Sequence, residues 1–209
     1  AFPLANSVLL EKAVMQDYPI TLDISVIDRL TDEQFFALCQ ANRDLRMERN
    51  ADGTITIMSP SSFRSSYLNG IIFGELLKWN QSYQHGMATE SSGGYSLPDS
   101  SVLAPDASWI SDERLDVLPE GAQDHFLAAC PNFVVELASP SDNLPSLRRK
   151  METWIRNGVE LGWLIDPKTE SVEIYAAGNE PKTVIGFDQS IDGGNILPGF
   201  VFDLRLLKK

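Results

Sequence analysis

With 209 residues, 43% of them hydrophobic and 22% charged, the chain is long enough for one sizeable α/β domain and has no apolar run that would cross a membrane. Its formal net charge of −12 argues against a protein that grips nucleic acid over a broad basic surface, so a nucleic-acid site here would need a local basic patch and a metal ion. The two histidines (His85 and His125) are too few for a multi-histidine metal site, and the two cysteines (Cys39 and Cys130) lie in apolar stretches without metal-ligand spacing, which predicts buried, reduced thiols in a cytoplasmic protein.

The start of the chain predicts an arm followed by a domain. Residues 1–30 mix Pro19 with short apolar runs and acids, and we expect them to pack as an arm on a single domain at residues 31–209. Thr31-Asp32-Glu33-Gln34 is a capping box, in which the Thr and Gln side chains each accept a hydrogen bond from the other residue's backbone N–H. It predicts a helix over Gln34–Ala41.

A β-hairpin and a long helix come next. The segments Leu45–Arg49 and Thr54–Met58 flank Asn50-Ala51-Asp52-Gly53, a turn sequence typical of hairpins. Ser61-Ser62 then predicts the cap of a helix over about Tyr67–Gln84, where apolar residues recur at helical spacing and imply one buried face.

The second half of the chain alternates strands and helices. The predicted elements are a strand at Val102–Ile110, a polar, solvated loop at Ser111–Asp124, a strand at Phe133–Ala138, a helix at Leu144–Asn157 stopped by Gly158, strands at Leu161–Ile165 and Ser171–Tyr175 joined by a turn at Asp166–Thr169, and strands at Thr183–Phe187 and Phe200–Leu204. This interleaving predicts an α/β fold with one central mixed β-sheet flanked by helices.

Glu136 is a charged residue in an otherwise apolar strand. Alternation along Phe133–Ala138 places apolar residues on both faces, as in a central strand that is covered on both sides. A carboxylate in that position loses its hydration and is costly unless it is paired, and a metal ion is a natural partner. The alternative is a strand-end glutamate that reaches solvent or an arginine.

Asp106 has the same character, because it is the only charged residue of Val102–Ile110. Pro105 removes a backbone donor, so this strand is predicted to lie at a sheet edge or to carry a local irregularity. A Pro-Asp pair alone is more often a turn. A second carboxylate within a β segment makes a metal site the better interpretation.

Lys150 lies at the border of the apolar face of the helix over Leu144–Asn157. At 100° per residue it is about 60° from Leu147 and about 40° from Trp154, while Arg149 and Arg156 point to solvent. The pattern therefore predicts that Lys150 reaches inward. The alternative is a lysine whose stem lies on the helix flank and whose ammonium reaches water.

These residues lie in blocks that resemble a known family. The resemblance is to the Uma-two family of restriction endonucleases, within the PD-(D/E)xK nuclease superfamily, and it rests on Ala104-Pro105-Asp106, on Pro131–Ser141, on Lys150, on Asn157-Gly158-Val159 and on Gly162–Pro167. It runs from about Thr31 to Leu204 and implies a restriction endonuclease-like core.

The resemblance also implies roles for particular residues. Asp106 matches the motif aspartate and Glu136 the motif acid, and with the carbonyl of Leu137 they are expected to hold one or two Mg²⁺ (or Mn²⁺) ions. The superfamily lysine falls at position 138, which is Ala here. In this family the lysine has moved to the following helix, where Lys150 matches it.

The function implied is a Mg²⁺-dependent endonuclease that cuts DNA, with the metal acidifying a water that Lys150 orients or helps to deprotonate, while its charge lies near the phosphate. We expect a homodimer, since two cuts on antiparallel strands suit twofold symmetry. A local positive region from Lys150, Arg148 and Arg149, with Arg64 and Lys78 as further members, is expected to meet the DNA. Glu75 is the acid available from the long helix as a further ligand, with plain surface charge as the alternative.

A second class of function stays open at this point. The chain would then be a catalytically inactive module with the nuclease fold that serves in binding or assembly. The net acidity and Ala138 favour the module. The two acids in apolar strands favour the nuclease, because a module without catalysis would gain stability by losing them.

Overall fold

A computed structural model describes residues 19–208. The first eighteen residues of the predicted arm, and Lys209, lie outside the described part. The helices are α1 (Asp32–Ala41), α2 (Phe63–Tyr83), α3 (Asp112–Leu115) and α4 (Leu144–Arg156). The strands are β1 (Ile20–Leu22), β2 (Arg46–Arg49), β3 (Ile55–Met58), β4 (Gly86–Glu90), β5 (Tyr95–Ser96), β6 (Val102–Leu103), β7 (Ala107–Ser111), β8 (Phe133–Leu137), β9 (Leu161–Asp166), β10 (Ser171–Ala176), β11 (Lys182–Ile185), β12 (Ser190–Asp192) and β13 (Val201–Asp203).

The described strands form three sheets. The largest has six strands in the order β11-β10-β9-β8-β7-β4, a second has five in the order β1-β3-β2-β6-β5, and β12 pairs with β13. In the six-stranded sheet β8 and β9 run parallel, while the other neighbours are antiparallel. The predicted mixed sheet is therefore confirmed, but the prediction of one sheet is wrong, because the hairpin β2–β3 starts a sheet of its own.

Helices α2 and α4 cover opposite faces of the six-stranded sheet. Phe133, Val135 and Leu137 of β8 share a core with apolar residues of α2, whereas Val134 packs with Met151 and Trp154 of α4. The alternation read from the sequence thus assigns β8 to a central strand that is buried on both sides. Glu136, which alternates with Val134, lies on the α4 side.

The predicted strand Val102–Ile110 is two strands in two different sheets. β6 belongs to the five-stranded sheet and β7 to the six-stranded one. Between them Ala104-Pro105-Asp106 carries the chain across, and Pro105 supplies no backbone donor that would continue a ladder. β7 lies between β4 and β8, so the prediction of an irregularity is confirmed and that of an edge strand is wrong.

The helix ends follow from their caps. In α1 both hydrogen bonds of the predicted capping box are present. α2 begins at Phe63, earlier than predicted, because the Ser62 side chain accepts from Ser65 N and already caps the first turn. α4 ends at Arg156, and Gly158 follows with a φ of 114°, a conformation that favours glycine.

The segment predicted as a solvated loop is structured and anchored. It contains α3 and a 3₁₀ helix at Ala122–Asp124. Arg114 donates to the carbonyls of Cys130, Pro131 and Gly158 and pairs with Glu160 at 2.6 Å, so this charge ties the segment to the ends of α4 and β8. Cys39 and Cys130 are free thiols, as predicted. Both are half-buried, whereas the prediction was that they would be buried.

The first described strand, β1, lies close to the start of the predicted domain. β1 lies within the predicted arm and pairs with β3, and the division into an arm and a domain stays a prediction. None of the helices found in residues 19–208 has the length and apolar character that a membrane span requires.

Two glycines make a matched test of packing. A Cβ on Gly86 would lie 2.3 Å from the Ile110 carbonyl oxygen, whereas one on Gly74, at the exposed side of α2, would meet nothing within 4 Å. We expect Gly86→Ala to lower the free energy of unfolding by about 1–3 kcal/mol through overpacking, and Gly74→Ala to raise it by about 0.5–1 kcal/mol through helix propensity. Urea denaturation measures both changes, and equal effects of the two substitutions would contradict the close approach of β4 to β7.

Candidate active site

Asp106 and Glu136 lie beside each other where β7 and β8 meet the linker from β6. Ala107 pairs with Val135, and one residue earlier the Asp106 N–H donates to the Val135 carbonyl at 2.9 Å. At the next position of the β7–β8 ladder the Asp106 carboxylate takes the place of a backbone carbonyl, because its Oδ2 accepts from Leu137 N at 2.8 Å. The structure therefore brings together the two acids that are thirty residues apart in the sequence.

Asn69 of α2 completes the surroundings of Asp106. Its Nδ2 donates to Asp106 Oδ1 at 3.0 Å, which fixes the orientation of the amide. The amide oxygen of Asn69 is then buried and has no hydrogen-bond partner within residues 19–208. A buried acceptor without a donor is uncommon and calls for an explanation such as an ion or a water.

Glu136 is 3% exposed and hydrogen-bonded on both oxygens. Trp154 Nε1 donates to Oε1 at 2.9 Å, and Lys150 Nζ lies 2.9 Å from Oε1 and 3.1 Å from Oε2. Burial raises the pKa of Glu136 to about 7; Lys150 opposes this shift, while Asp106 and Glu48 add to it. Burial likewise raises the pKa of Asp106, against the hydrogen bond from Leu137 and the charges of Lys150 and Arg46.

Lys150 reaches inward, as the helical pattern predicts, and its side chain is 13% exposed. The ammonium donates to Glu48 Oε1 at 2.8 Å, to the Ala104 carbonyl at 3.0 Å and to Glu136. These acceptors use all three of its N–H donors. Burial acts against the charged form, but the two carboxylates outweigh it and raise the pKa of Lys150 above its ordinary value.

Sequence reasoning missed Glu48, which contributes a third carboxylate from β2. It is 5% exposed, and its Oε1 accepts from Ala104 N at 3.0 Å as well as from Lys150. The hairpin pattern identified the strand but gave this residue no role. The signal in the sequence was that Arg46-Met47-Glu48-Arg49 carries charge on both faces of the strand, so a buried strand must place charged side chains inside. Arg49 is also buried, at 1% exposed, and it donates to Asp32 and to two backbone carbonyls.

Asp106 and Glu136 line a cleft of about 230 Å³, which we call the acidic cleft. Its walls are the start of α2 with the segment before it, and the loop that leads into α4. Asn69, Arg46, Leu137 and Lys150 also line it. Lys150 also lines a neighbouring cleft of about 520 Å³, which Glu48 lines and Asp106 and Glu136 do not.

Two other predicted charges do not reach the acidic cleft. Glu75 lies 3.8 Å from Lys78 on the surface of α2, in agreement with plain surface charge. Arg148 is paired with Glu173 at 2.6 Å. Lys150 is buried between carboxylates, and Lys78 pairs with Glu75. Arg64 and Arg149 are the members of the predicted positive region that are exposed and pair with no acid within residues 19–208.

The charges and donors of the acidic cleft fit a hard divalent cation. Asp106, Glu136 and Glu48 with Lys150 sum to −2 when all are ionised, and Arg46 adds one positive charge at the edge. Asp106 and Glu136 bring carboxylate oxygens to the cleft, and Asn69, whose amide oxygen has no hydrogen-bond partner within residues 19–208, also lines it. Oxygen ligands of this type are those that Mg²⁺ prefers. No group of three or more His, Cys, Asp or Glu side chains within the described residues could hold a metal ion. The acids that line the acidic cleft are Asp106, Glu136 and Asp142, and Asp142 Oδ2 accepts from Ser139 N at 2.7 Å.

Comparison with known proteins gives a match to a family and matches to solved structures. A model of the family Uma2, described as "Putative restriction endonuclease", matches residues 32–205. A solved structure described as "a putative nuclease belonging to DUF820 from Anabaena variabilis" has a TM-score of 0.71 at 17% identity and covers 86% of this chain and 97% of its own. At that identity the likeness shows the fold, which confirms the predicted fold class. No curated protein matches the chain.

The raised pKa of Glu136 gives a prediction for the metal-free protein. Its folded-state pKa of about 7 exceeds the ordinary 4.5, so the folded chain binds this proton more tightly than the unfolded chain. The contribution of Glu136 to stability must then fall as the pH rises from about 4.5 to about 7, by on the order of 1–3 kcal/mol. We expect urea denaturation with a chelator to show this loss in the wild type and a weaker pH dependence in Glu136→Gln. The same pH dependence in both proteins would show that Glu136 titrates normally.

Proposed function

The chain belongs to the Uma2 family, "Putative restriction endonuclease", and we propose that it is a Mg²⁺-dependent endonuclease that hydrolyses phosphodiester bonds of DNA. The observation that carries the proposal is the buried contact of Lys150 with Glu136 beside Asp106, at the base of an open cleft. Two acids and a lysine at one point are the residue types that metal-assisted hydrolysis of a phosphodiester needs.

Asp106 and Glu136 are the residues that would hold the metal. The carbonyl of Leu137 and the amide oxygen of Asn69 are the neighbouring oxygens that would complete its surroundings. When bound, Mg²⁺ supplies a Lewis acid for the phosphodiester and lowers the pKa of a water. The hydrogen bonds from Leu137 N and Asn69 hold the Asp106 carboxylate in place, which limits the reorganisation that binding requires.

Lys150 supplies positive charge and a donated hydrogen bond. Between Glu48 and Glu136 it keeps its proton, so it acts as a cation toward a phosphate oxygen and not as a general base. One of its three donors must leave Glu136 for that purpose. The Ala104 carbonyl and Glu48 then retain the other two.

DNA as the substrate and a homodimer as the assembly are part of the proposal. The family description supports DNA, because restriction endonucleases cut it, and two antiparallel strands suit a twofold symmetric enzyme. With a net charge of −12, binding should depend on divalent cation and fall as salt increases.

Cleavage of a supercoiled plasmid tests the catalytic roles. We expect the wild type to cut with Mg²⁺ or Mn²⁺, and Asp106→Ala to abolish cutting. Lys150→Met keeps the apolar stem but removes the charge and its donated hydrogen bond, and should slow single-turnover cleavage by about 10²–10³-fold.

Lys78→Met is the matched control for Lys150→Met, because Lys78 is an exposed lysine of α2 paired with Glu75. It should cut at the wild-type rate. Wild-type activity of Lys150→Met would remove Lys150 from the mechanism. A wild type that stays inactive under all metal conditions would favour the alternative of a binding or assembly module.

Metal binding is expected to depend on the same acids. Mn²⁺ at about 100 times its Kd should stabilise the wild type by about 2.7 kcal/mol, and Glu136→Gln and Asp106→Asn should lose that stabilisation. Glu75→Gln, an acid outside the cleft, serves as the control and should keep it. Thermal unfolding with and without Mn²⁺ measures the effect, and an Mn²⁺ response that survives both acid substitutions would place the metal elsewhere.

A further inference from the structure

We propose that Glu48 is the positioning residue for Lys150, which it holds at the acidic cleft when Glu136 is engaged by another ligand. This inference rests on the proposed function, since it assigns Glu48 to the same reaction. Glu48 touches Lys150 from the neighbouring cleft, on the side away from Asp106. It therefore acts through Lys150 and not on the substrate.

The geometry around Glu48 is a closed set of hydrogen bonds. Glu48 Oε1 accepts from Lys150 Nζ at 2.8 Å and from Ala104 N at 3.0 Å, and Lys150 also donates to the Ala104 carbonyl at 3.0 Å. Each of the three residues thus contacts the other two. Because Ala104 directly precedes Pro105 and Asp106, this set places the ammonium relative to the metal-binding acid.

A lysine at this position needs a second counter-charge. With Glu136 as its only carboxylate partner, the ammonium would remain on Glu136, because an unpaired charge in a buried setting is costly. Glu48 supplies that counter-charge, since its Oε1 lies 2.8 Å from the ammonium. Lys150 can then release Glu136 without losing all its ionic partners, and Glu136 becomes available to a divalent cation.

A structural role for Glu48 is the competing explanation, because it also joins β2 to the linker through Ala104 N. Glu48→Gln separates the two. The glutamine keeps an oxygen that accepts from Ala104 N, but it has no negative charge to hold the ammonium. If the role of Glu48 is only structural, the Glu48→Gln protein should keep both the fold and the activity of the wild type. If Glu48 positions Lys150 by its charge, the Glu48→Gln protein should keep the fold but lose activity.

The first readout is independent of metal and of cleavage. In chelator-treated protein, the rate of acetylation of Lys150 by acetic anhydride is followed by mass spectrometry, with exposed Lys78 as the internal reference. We expect Lys150 to react slowly in the wild type and about 10-fold faster in Glu48→Gln. An unchanged rate in a folded Glu48→Gln would overturn the proposal, whether or not the protein proves to be a nuclease.

The second readout is a double-mutant cycle in single-turnover cleavage. Glu48→Gln should lower the rate by about 10–100-fold, as is usual for partners of a catalytic group, with little change in the DNA concentration for half-saturation. In the Lys150→Met background the same substitution should have no further effect. Additive effects in the cycle would mean that Glu48 acts independently of Lys150, and would overturn the inference.

Glu48→Asp keeps the test decisive if Glu48→Gln does not fold. It retains the charge but is shorter by one methylene, so it reaches Lys150 less well. Faster acetylation of Lys150 and slower cleavage are expected, each smaller than for Glu48→Gln. Wild-type values in both measurements would overturn the positioning role.

Discussion

The ammonium of Lys150 joins three parts of the fold that meet at one point. Glu48 belongs to the five-stranded sheet, Glu136 to the six-stranded sheet, and Ala104 to the linker between them. The lysine itself comes from α4, which packs on the six-stranded sheet. A buried ammonium with three oxygen acceptors has little freedom to move, so it fixes the position of the two sheets relative to each other beside the acidic cleft.

This arrangement is costly for the folded state, which bears on why the chain keeps it. Three carboxylates and one ammonium are withdrawn from water. Replacing such buried charged groups by apolar residues of similar volume often leaves a protein equally stable or makes it more stable. The raised pKa values of Asp106 and Glu136 express this cost directly. A scaffold without chemistry would gain by losing these charges, whereas a site that receives a divalent cation uses them.

The sequence predicts the parts of the site that local patterns determine. Glu136 stands out because β8 is otherwise apolar, and Lys150 because its angle on α4 is set by the helix alone. Glu48 and Asn69 depend on contacts between elements far apart in the chain. Charge on both faces of β2 draws attention to Glu48 but does not indicate its partner, and Asn69 has no local pattern that marks it. The division of Val102–Ile110 between two sheets also escapes prediction, since strand pairing is decided by partners elsewhere. Pro105 marked the place of the break but not its consequence.

The acidity of the chain is consistent with such a site once charge is considered locally. Among residues 19–208 several basic side chains are already paired, including Arg148 with Glu173, Arg114 with Glu160 and Lys78 with Glu75. Of the basic side chains in this range that pair with no acid, Arg46 alone lines the acidic cleft. The cleft places buried acids beside Lys150 and Arg46, so under the proposed function a divalent cation would bind there before a phosphate does. Affinity for a phosphodiester must then be created by the cation, so binding and chemistry would depend on the same two carboxylates, Asp106 and Glu136.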